Sequence, residues 1–246
     1  MTDRRRQTAD GRRQQPTPGV AMRQTNLKEP PEYVSAREEL QRAEIELMRQ
    51  RERVAELRRR MPQGPVVDDY AFDEGPADLS EGDAPARSVR LSELFGGPGR
   101  DLIVYHFMYG KRQTEPCPMC TMWLDGLNGV ARHVTQNADL AVVAAAGLPE
   151  LRAHARARGW RNLRLLSAGS GSFKYDLGSE DADGAQDSTV SVFTRDEDGA
   201  VRHFYSVHPR MSEDIDQRGI DLYSPVWHVL DLTRRGRDDW AASLDY

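Results

Sequence analysis

The chain has 246 residues, of which 38% are hydrophobic and 30% are charged, and its formal net charge is −5. These values are typical of a soluble globular protein that also carries some polar, poorly packed sequence. The longest apolar runs, such as residues 141–148, are far shorter than the roughly 20 residues of a membrane span, so we expect no membrane association. The arginine-rich residues 1–13 are followed by no apolar segment and do not resemble a secretory signal. We therefore expect a cytoplasmic protein.

Charge is distributed unevenly along the chain. Residues 1–28 carry seven basic and two acidic side chains, a balance of +5, so the remainder carries −10. Residues 1–30 contain few large apolar side chains and are expected to form a disordered basic tail. Such a tail can contact an anionic surface. It has no interleaved aromatic residues and is not a folded basic module, which disfavours nucleic acid as a partner.

Residues 31–64 are predicted to form a long amphipathic helix. The helix is expected to run from Ser35 to Arg60, with Ser35 and Glu38 as a capping box. The sequence Met-Pro-Gln-Gly at 61–64 would end it. We expect the helix to pack on the rest of the protein or on a second copy of itself, as a homodimer. The apolar residues that recur at helical spacing are Leu40, Ala43, Leu47, Val54 and Leu57.

The remaining residues, 65–246, are expected to form one α/β domain. Apolar runs of strand length alternate with helical patterns, and a hairpin follows them. This order predicts a mixed sheet with helices on both faces. Strands are predicted at 66–72, 102–108, 139–146, 162–167, 189–195 and 200–207, helical segments at 91–95, 117–134, 148–158 and 225–232, and loops at 73–86 and 168–188.

The two cysteines of the chain, Cys117 and Cys120, form a C-x-x-C motif shortly after the apolar strand 102–108. If Cys117 is the N-cap of a helix, Pro118 takes the first helical position, where its missing N–H costs nothing. The Cys117 thiolate would then face free N–H groups and the positive end of the helix dipole, which lower its pKa below about 8.5. Cys120 could close a disulfide or resolve a mixed one. This is the thioredoxin-type arrangement.

Two other interpretations of the cysteine pair stay open. In a zinc site, Cys120 would precede His133 by the spacing of a zinc finger, but no second histidine follows at three to five residues. Such a site would have to recruit His106 or a carboxylate. The pair could also be chemically inert. No glycine-rich phosphate loop is present, so no bound organic cofactor is implied.

A second chemistry is open at the same position. Residues 114–117, Thr-Glu-Pro-Cys, resemble the T-x-x-C element of the peroxiredoxins, and Arg195 could help to stabilise the Cys117 thiolate. Peroxiredoxins have a proline four residues before that threonine, where this chain has Gly110. A thiol peroxidase that uses Thr114, Cys117 and Arg195 is therefore an alternative.

Several stretches, in order from about residue 30 to 240, resemble the bacterial family known as domain of unknown function 899, of the thioredoxin-like superfamily. The resemblance implies a thioredoxin-like fold with peroxiredoxin-like topology, and the family has no settled activity. The matching stretches are Ala36–Leu40, Val67–Phe72, Leu102–Met108, Cys117–Cys120, Phe173–Gly178, Val190–Phe193 and Leu230–Asp238.

The chain departs from thioredoxins in two ways near the motif. Thioredoxins present a cis-proline just before the strand that begins near Thr189, but residues 186–188 here are Gln-Asp-Ser. This departure weakens the case for general protein-disulfide exchange and favours peroxidase-like or metal-handling variants. The loop before Cys117 carries Lys111 and Arg112, which we expect to lower the Cys117 pKa further, against the opposing charge of Glu115.

The combined prediction is a thiol–disulfide oxidoreductase with a thiol or disulfide substrate, in which Cys117 attacks and Cys120 resolves. One alternative is the thiol peroxidase, whose substrate is a peroxide. The other is a non-catalytic scaffold that acts through its long N-terminal helix in dimerisation or partner binding.

Overall fold

The structure is a computed structural model that describes residues 27–213, 219–220, 223–237 and 240–244. The chain divides into two compact units, Met1–Leu57 and Arg58–Tyr246. Of the predicted disordered tail, residues 1–26 lie outside the described residues. No helix among the described residues is long and apolar enough to cross a membrane.

Helix α1 (Pro31–Arg59) begins at the first residue of the predicted segment 31–64, four residues before Ser35, so the expected capping box at Ser35 and Glu38 is wrong. The reason is Pro31, whose fixed φ and missing N–H suit the first position of a helix. No residue of α1 is buried, and its apolar side chains Leu40, Leu47 and Leu57 are exposed.

The second unit contains all the strands that the structure describes. The lengths of the strands Leu102–Phe107, Thr189–Arg195 and Val201–Val207 match the apolar runs, and Gly159 ends the helix Leu148–Arg158 in the left-handed conformation (φ 70°) that favours glycine. The strands are β1 (Ala71–Glu74), β2 (Arg87–Arg90), β3 (Leu102–Phe107), β4 (Asp139–Ala144), β5 (Arg164–Ser167), β6 (Thr189–Arg195) and β7 (Val201–Val207). The helices are α2 (Pro118–Val134), α3 (Leu148–Arg158), α4 (Phe173–Asp176) and α5 (Pro225–Leu230), with short 3-10 helices at Leu79–Glu81 and Leu91–Leu94.

The strands form one seven-stranded sheet in the order β2-β1-β5-β4-β3-β6-β7. β3, β4 and β5 are parallel, whereas β6 is antiparallel to both β3 and β7, and β1 is antiparallel to both β5 and β2. The β3-α2-β4 crossover beside the β6-β7 hairpin is the thioredoxin-like core, and β5 and the β1-β2 hairpin extend it as in a peroxiredoxin-like topology. The fold prediction is confirmed.

The centre of the sheet is buried on both faces. Alternate residues of β3 and β4 point to opposite faces of the sheet and pack in two different apolar clusters. This explains why the sequences of both strands are continuous apolar runs. Each fully buried large side chain contributes roughly 1.5–3 kcal/mol. One cluster joins Tyr105, Phe107, Val142 and Ala144 to Trp123, Leu124 and Leu151, and the other joins Leu102, Val104 and Val143 to Phe72, Phe173 and Phe193.

Three local predictions are wrong. The strand expected at 66–72 is β1, displaced to Ala71–Glu74, and Val66 makes only one bridge, to Arg202. Strand β2 was not predicted, because Arg-Ser-Val-Arg holds a single apolar residue and forms a strand only by pairing with β1. The loop expected at 168–188 contains the short helix α4.

Candidate active site

The cysteine motif lies where the carboxyl end of β3 meets the amino end of α2. Cys117 is the N-cap (φ −61°, ψ 124°) and Pro118 takes the first turn, as predicted. The Cys117 N–H donates to the Met108 carbonyl oxygen at 3.1 Å, and the Thr121 N–H and hydroxyl donate to the Cys117 carbonyl oxygen at 2.9 and 3.0 Å. These bonds hold the first cysteine between the strand and the helix.

A tight turn at Gly110 shapes the loop that leads to the motif. Gly110 and Gln113 exchange two backbone hydrogen bonds, of 2.7 and 3.0 Å. Gly110 has φ 105°, and a Cβ there would lie 2.0 Å from the Ala146 backbone nitrogen. Proline is restricted to φ near −65°, so this backbone excludes the proline that peroxiredoxins have at the corresponding position.

The two thiols differ in exposure and in acidity. Cys117 is half-buried, Cys120 is 1% exposed, and neither is in a disulfide. A hydrogen bond from the Cys120 thiol, together with the backbone N–H groups of Met119 and Cys120, outweighs burial and lowers the pKa of Cys117 to about 6. Burial raises the pKa of Cys120 well above its ordinary value. At neutral pH the pair therefore holds a thiolate at the surface and a thiol beneath it.

Both cysteines line a cleft of about 190 Å³. Ser188, in the segment where thioredoxins have their cis-proline, also lines it, together with Asp187. The Asp187 carboxylate opposes the thiolate and raises the pKa of Cys117, although less than the hydrogen bonds lower it. The apolar part of the wall consists of Met108, Met119, Trp123 and Pro209, and Arg210 also lines the cleft.

A cluster of buried polar side chains lies behind the dithiol. Lys174, on α4, is 1% exposed, and its ammonium group donates to the Phe107 carbonyl oxygen at 2.9 Å. His106 is fully buried, its Nδ1 lies 2.6 Å from the Ser179 hydroxyl, and its ring stacks on Phe173. Its Nε2 has no hydrogen-bond partner among the described residues. Burial and the charge of Lys174 lower the pKa of His106 well below its ordinary value, so it is neutral.

Lys174 is the residue of this cluster that sequence reasoning missed. It lies in a segment rich in Gly, Ser and Asp that was predicted to be a loop, where a lysine is expected to be solvated. The only signal available was its place in the family-like stretch Phe173–Gly178. Tyr105 is a second unpredicted member of the site: its hydroxyl is buried beside Cys120, burial and the neighbouring Cys120 raise its pKa, and the hydroxyl in turn lowers the pKa of Cys120.

The structure does not bring Arg195 to the cysteines, which corrects the sequence prediction for this residue. In the β3-β6 register His106 lies opposite Thr189 and Leu102 opposite Phe193, so Arg195 lies beyond the amino end of β3. The distance along β6 from Thr189 is roughly 20 Å at about 3.3 Å per residue. There Arg195 donates to the Ser92 carbonyl oxygen at 2.8 Å and covers the Phe95 ring.

Thr114 lies in the loop before Cys117 and is exposed. It is not among the groups with the largest effects on the Cys117 pKa. Lys111, which was expected to lower that pKa, instead pairs with the buried carboxylate of Glu180. Neither Lys111 nor Arg112 is among the main causes of the low Cys117 pKa.

Asp125, on α2 two turns beyond Cys117, has structural contacts. It pairs with Arg158 at 2.5 Å and accepts a hydrogen bond from the Trp160 indole at 2.8 Å. In the described part of the chain, no group of three or more His, Cys, Asp or Glu side chains is placed to hold a metal ion.

A match to a family model agrees with the sequence resemblance. No curated protein matches the chain. Among solved structures, the chain is similar to reduced Prx3 of Vibrio vulnificus in complex with H₂O₂, at 17% identity over 67% of this chain and 99% of that one, with a TM-score of 0.45. It is also similar to AhpC of Enterococcus faecalis, at 15% identity over 73% and 98% of the two chains, with a TM-score of 0.45. Residues 22–245 match the model of the family described as "Bacterial protein of unknown function (DUF899)", and the chain therefore belongs to that family.

Proposed function

We propose that the protein is a thiol–disulfide oxidoreductase in which Cys117 attacks a disulfide substrate and Cys120 resolves the product. The observation that carries this proposal is the difference between the two thiols at the start of α2. The half-buried Cys117 has a pKa lowered to about 6, mainly by the Cys120 thiol, and the buried Cys120 stays protonated. A thiolate at the surface is the form that attacks a disulfide, and a second thiol one turn away can complete the exchange.

The reaction balances with a disulfide substrate, R–S–S–R′. The Cys117 thiolate attacks one substrate sulfur, the S–S bond breaks, and R′–S⁻ leaves and takes a proton from water. Cys120 then loses its proton, attacks the Cys117 sulfur and displaces R–S⁻. The substrate gains two electrons and the protein holds a Cys117–Cys120 disulfide. A thiol reductant would return it to the dithiol form.

The reactivity of the reduced full-length protein toward an aromatic disulfide that releases a coloured thiolate tests this proposal. We expect wild-type protein to release two thiolates per chain. Cys120→Ser is expected to release one and to retain a mixed disulfide on Cys117, which mass spectrometry detects. Cys117→Ser is the matched control, because its remaining thiol is buried and protonated. Release of two thiolates by either variant, or none by the wild type, would overturn the proposal.

The peroxidase alternative has less support. A low Cys117 pKa suits either chemistry, but Arg195 lies near the amino end of β3, away from the cysteines at its carboxyl end, and the turn at Gly110 excludes the peroxiredoxin proline. A peroxidase predicts sulfenic acid on Cys117 after one equivalent of peroxide. Its rate should fall in Thr114→Val, whereas we expect Thr114→Val to leave disulfide exchange unchanged.

A dimer through α1 stays a separate proposal. The observation that favours it is the row of exposed leucines, Leu40, Leu47 and Leu57, on a helix without buried residues. If these leucines join two copies, Leu47→Lys should halve the mass measured by light scattering, and Glu46→Lys on the same helix should not. A wild-type monomer would refute the dimer.

The cytoplasmic location expected from the sequence also stays a prediction.

A further inference from the structure

We propose that Lys174 is a positioning residue for the resolving thiol, and that its ammonium group stabilises the Cys120 thiolate through the peptide group between Phe107 and Met108. This inference rests on the proposed disulfide exchange. It assigns a role to a buried cation that the exchange between the two cysteines leaves unexplained.

The burial of Lys174 requires an explanation. An ammonium group at 1% exposure loses its hydration, which is costly unless nearby groups compensate for it. In the part of the chain that the structure describes, its hydrogen bond is the one to the Phe107 carbonyl oxygen, at 2.9 Å. An apolar side chain would fill the space between the sheet and α4 without this cost, so the charge indicates a function.

One peptide group connects this lysine to the dithiol. Lys174 donates to the Phe107 carbonyl oxygen at 2.9 Å. Met108, whose N–H belongs to the same peptide group, lines the cleft together with Cys120, and this N–H lowers the pKa of the Cys120 thiol. A cation at the oxygen end polarises the peptide group and makes its N–H a stronger donor. The lysine therefore acts on the thiolate through this peptide group, without touching the sulfur.

Cys120 needs such help because burial raises its pKa and disfavours its thiolate, and the Tyr105 hydroxyl and the Met108 N–H offset this only in part. Without a compensating charge, only a very small fraction of Cys120 is ionised at neutral pH, and the resolving step is slow. A positive charge across the peptide group raises that fraction. The same relationship acts in reverse, since a negative Cys120 favours the charged form of Lys174.

The charged and titratable groups around Lys174 set the pH range in which it is charged. Burial is the largest influence and lowers the pKa of Lys174 to about 8. Carboxylates on the segment that follows α4 raise this pKa, and Lys111, on the loop before α2, lowers it. The neighbouring His106 on β3 is neutral and contributes no charge. The facing groups are Cys120, Glu180, Asp187, Lys111 and His106.

The resolving step is written with Lys174 charged throughout. Cys120 releases its proton to water in the cleft, and the thiolate attacks the Cys117 sulfur of the mixed disulfide. The Cys117–substrate S–S bond breaks, and the departing R–S⁻ takes a proton from water. Lys174 donates no proton, so its effect is confined to the fraction of Cys120 in the thiolate form.

The test measures thiolate release from an aromatic disulfide by rapid mixing between pH 6 and 9.5. The first phase reports the attack by Cys117, and the second reports the resolving step by Cys120. In the wild type, the rate of the second phase should rise with pH and level off near pH 8, where Lys174 begins to lose its proton. In Lys174→Met, the second phase should be about tenfold to a hundredfold slower at pH 7 and should rise without levelling off. The first phase should change by less than about twofold.

Lys111→Met provides a matched control, because it removes a partly exposed lysine by the same chemical change. It also removes a charge that repels Lys174 and frees Glu180, and both effects raise the Lys174 pKa. The levelling-off should therefore move to higher pH in this variant. This shift also tests the inference if Lys174→Met does not fold, which circular dichroism would show.

The outcomes distinguish the two proposals. A wild type that releases no thiolate refutes the oxidoreductase proposal and this inference with it. The inference alone is refuted if the wild type completes both phases and the second phase of Lys174→Met keeps the wild-type rate and pH profile. Equal slowing of both phases with an unchanged profile would assign Lys174 a merely structural role, as would an unshifted profile in Lys111→Met.

Discussion

The Cys120 thiol donates a hydrogen bond to the sulfur of Cys117, and this bond is the largest cause of the low Cys117 pKa. The sequence pattern led us to expect the backbone N–H groups and the helix dipole to be the main cause. Those N–H groups do contribute, but the second cysteine contributes more. The resolving thiol therefore also activates the attacking one.

The first prediction concerns this bond. Cys120→Ala removes the donor, whereas Cys120→Ser keeps a hydroxyl donor of similar size. Because a hydrogen bond to a charged group contributes roughly 1.5–3 kcal/mol, we expect the Cys117 pKa in Cys120→Ala to be roughly one to two higher than in Cys120→Ser. The measurement is the pH dependence of alkylation. Equal pKa values in the two variants would show that the Cys120 position does not act through a donated hydrogen bond.

The second prediction concerns Asp187, whose carboxylate raises the pKa of Cys117 across the cleft. Asp187→Asn removes the charge and keeps the side-chain oxygen that accepts from the Ser188 N–H at 2.8 Å. The Cys117 pKa should fall, and alkylation at pH 5.5 should be faster than in the wild type. Asp183→Asn, on the exposed part of the same loop, is the control and should have no effect. A higher Cys117 pKa in Asp187→Asn would contradict this account.

The third prediction concerns the turn before the motif. Gly110→Ala places a Cβ against the Ala146 backbone and forces an L-residue into φ 105°. We expect it to lower the free energy of unfolding by at least about 2 kcal/mol. Gly129→Ala, in α2 with open space around the position, should be neutral or stabilising by up to about 1 kcal/mol. Urea denaturation measures both, and equal stability of the two variants would refute the assigned role of the turn.

The fourth prediction concerns the ion pairs of Glu74. Burial raises the pKa of this carboxyl, but hydrogen bonds and charges from Arg164 and Arg87 outweigh it, so the net pKa is lowered. A carboxyl with a lowered folded-state pKa stabilises the protein above its unfolded-state pKa, and this stability is lost as the pH falls through the folded-state value. Wild-type protein should therefore lose its stability advantage over Glu74→Gln as the pH falls below about 4.5, the ordinary pKa of this carboxyl. An advantage that grows on acidification would contradict the lowered pKa.

The sequence predicts those parts of the fold that depend on local physics. The Cys-Pro pair at the start of α2, Gly159 at the end of α3 and the apolar runs of β3 and β4 each have a local cause, and the structure has them where the sequence placed them. Strand β2 contains one apolar residue, which is too few to indicate a strand. It was missed because it forms through its pairing with β1. The same holds for the register of the sheet.

Two site residues show why long-range contacts limit the prediction. Arg195 lies on a correctly predicted strand, but the antiparallel register places it beyond the amino end of β3, whereas Cys117 follows the carboxyl end. Lys174 lies in a polar segment whose composition predicts solvent exposure, and it is buried only because α4 packs behind β3. In both cases the position depends on residues far away in the sequence.

The pH dependence of Cys117 alkylation in the reduced wild-type protein, followed by peptide mass spectrometry, tests the central claim most directly. We predict an inflection at a pH of about 6, which would mean that most of Cys117 is thiolate at neutral pH. An inflection at or above about 8.5, the value of an ordinary cysteine, would show that the fold does not activate the thiol and would contradict the oxidoreductase proposal.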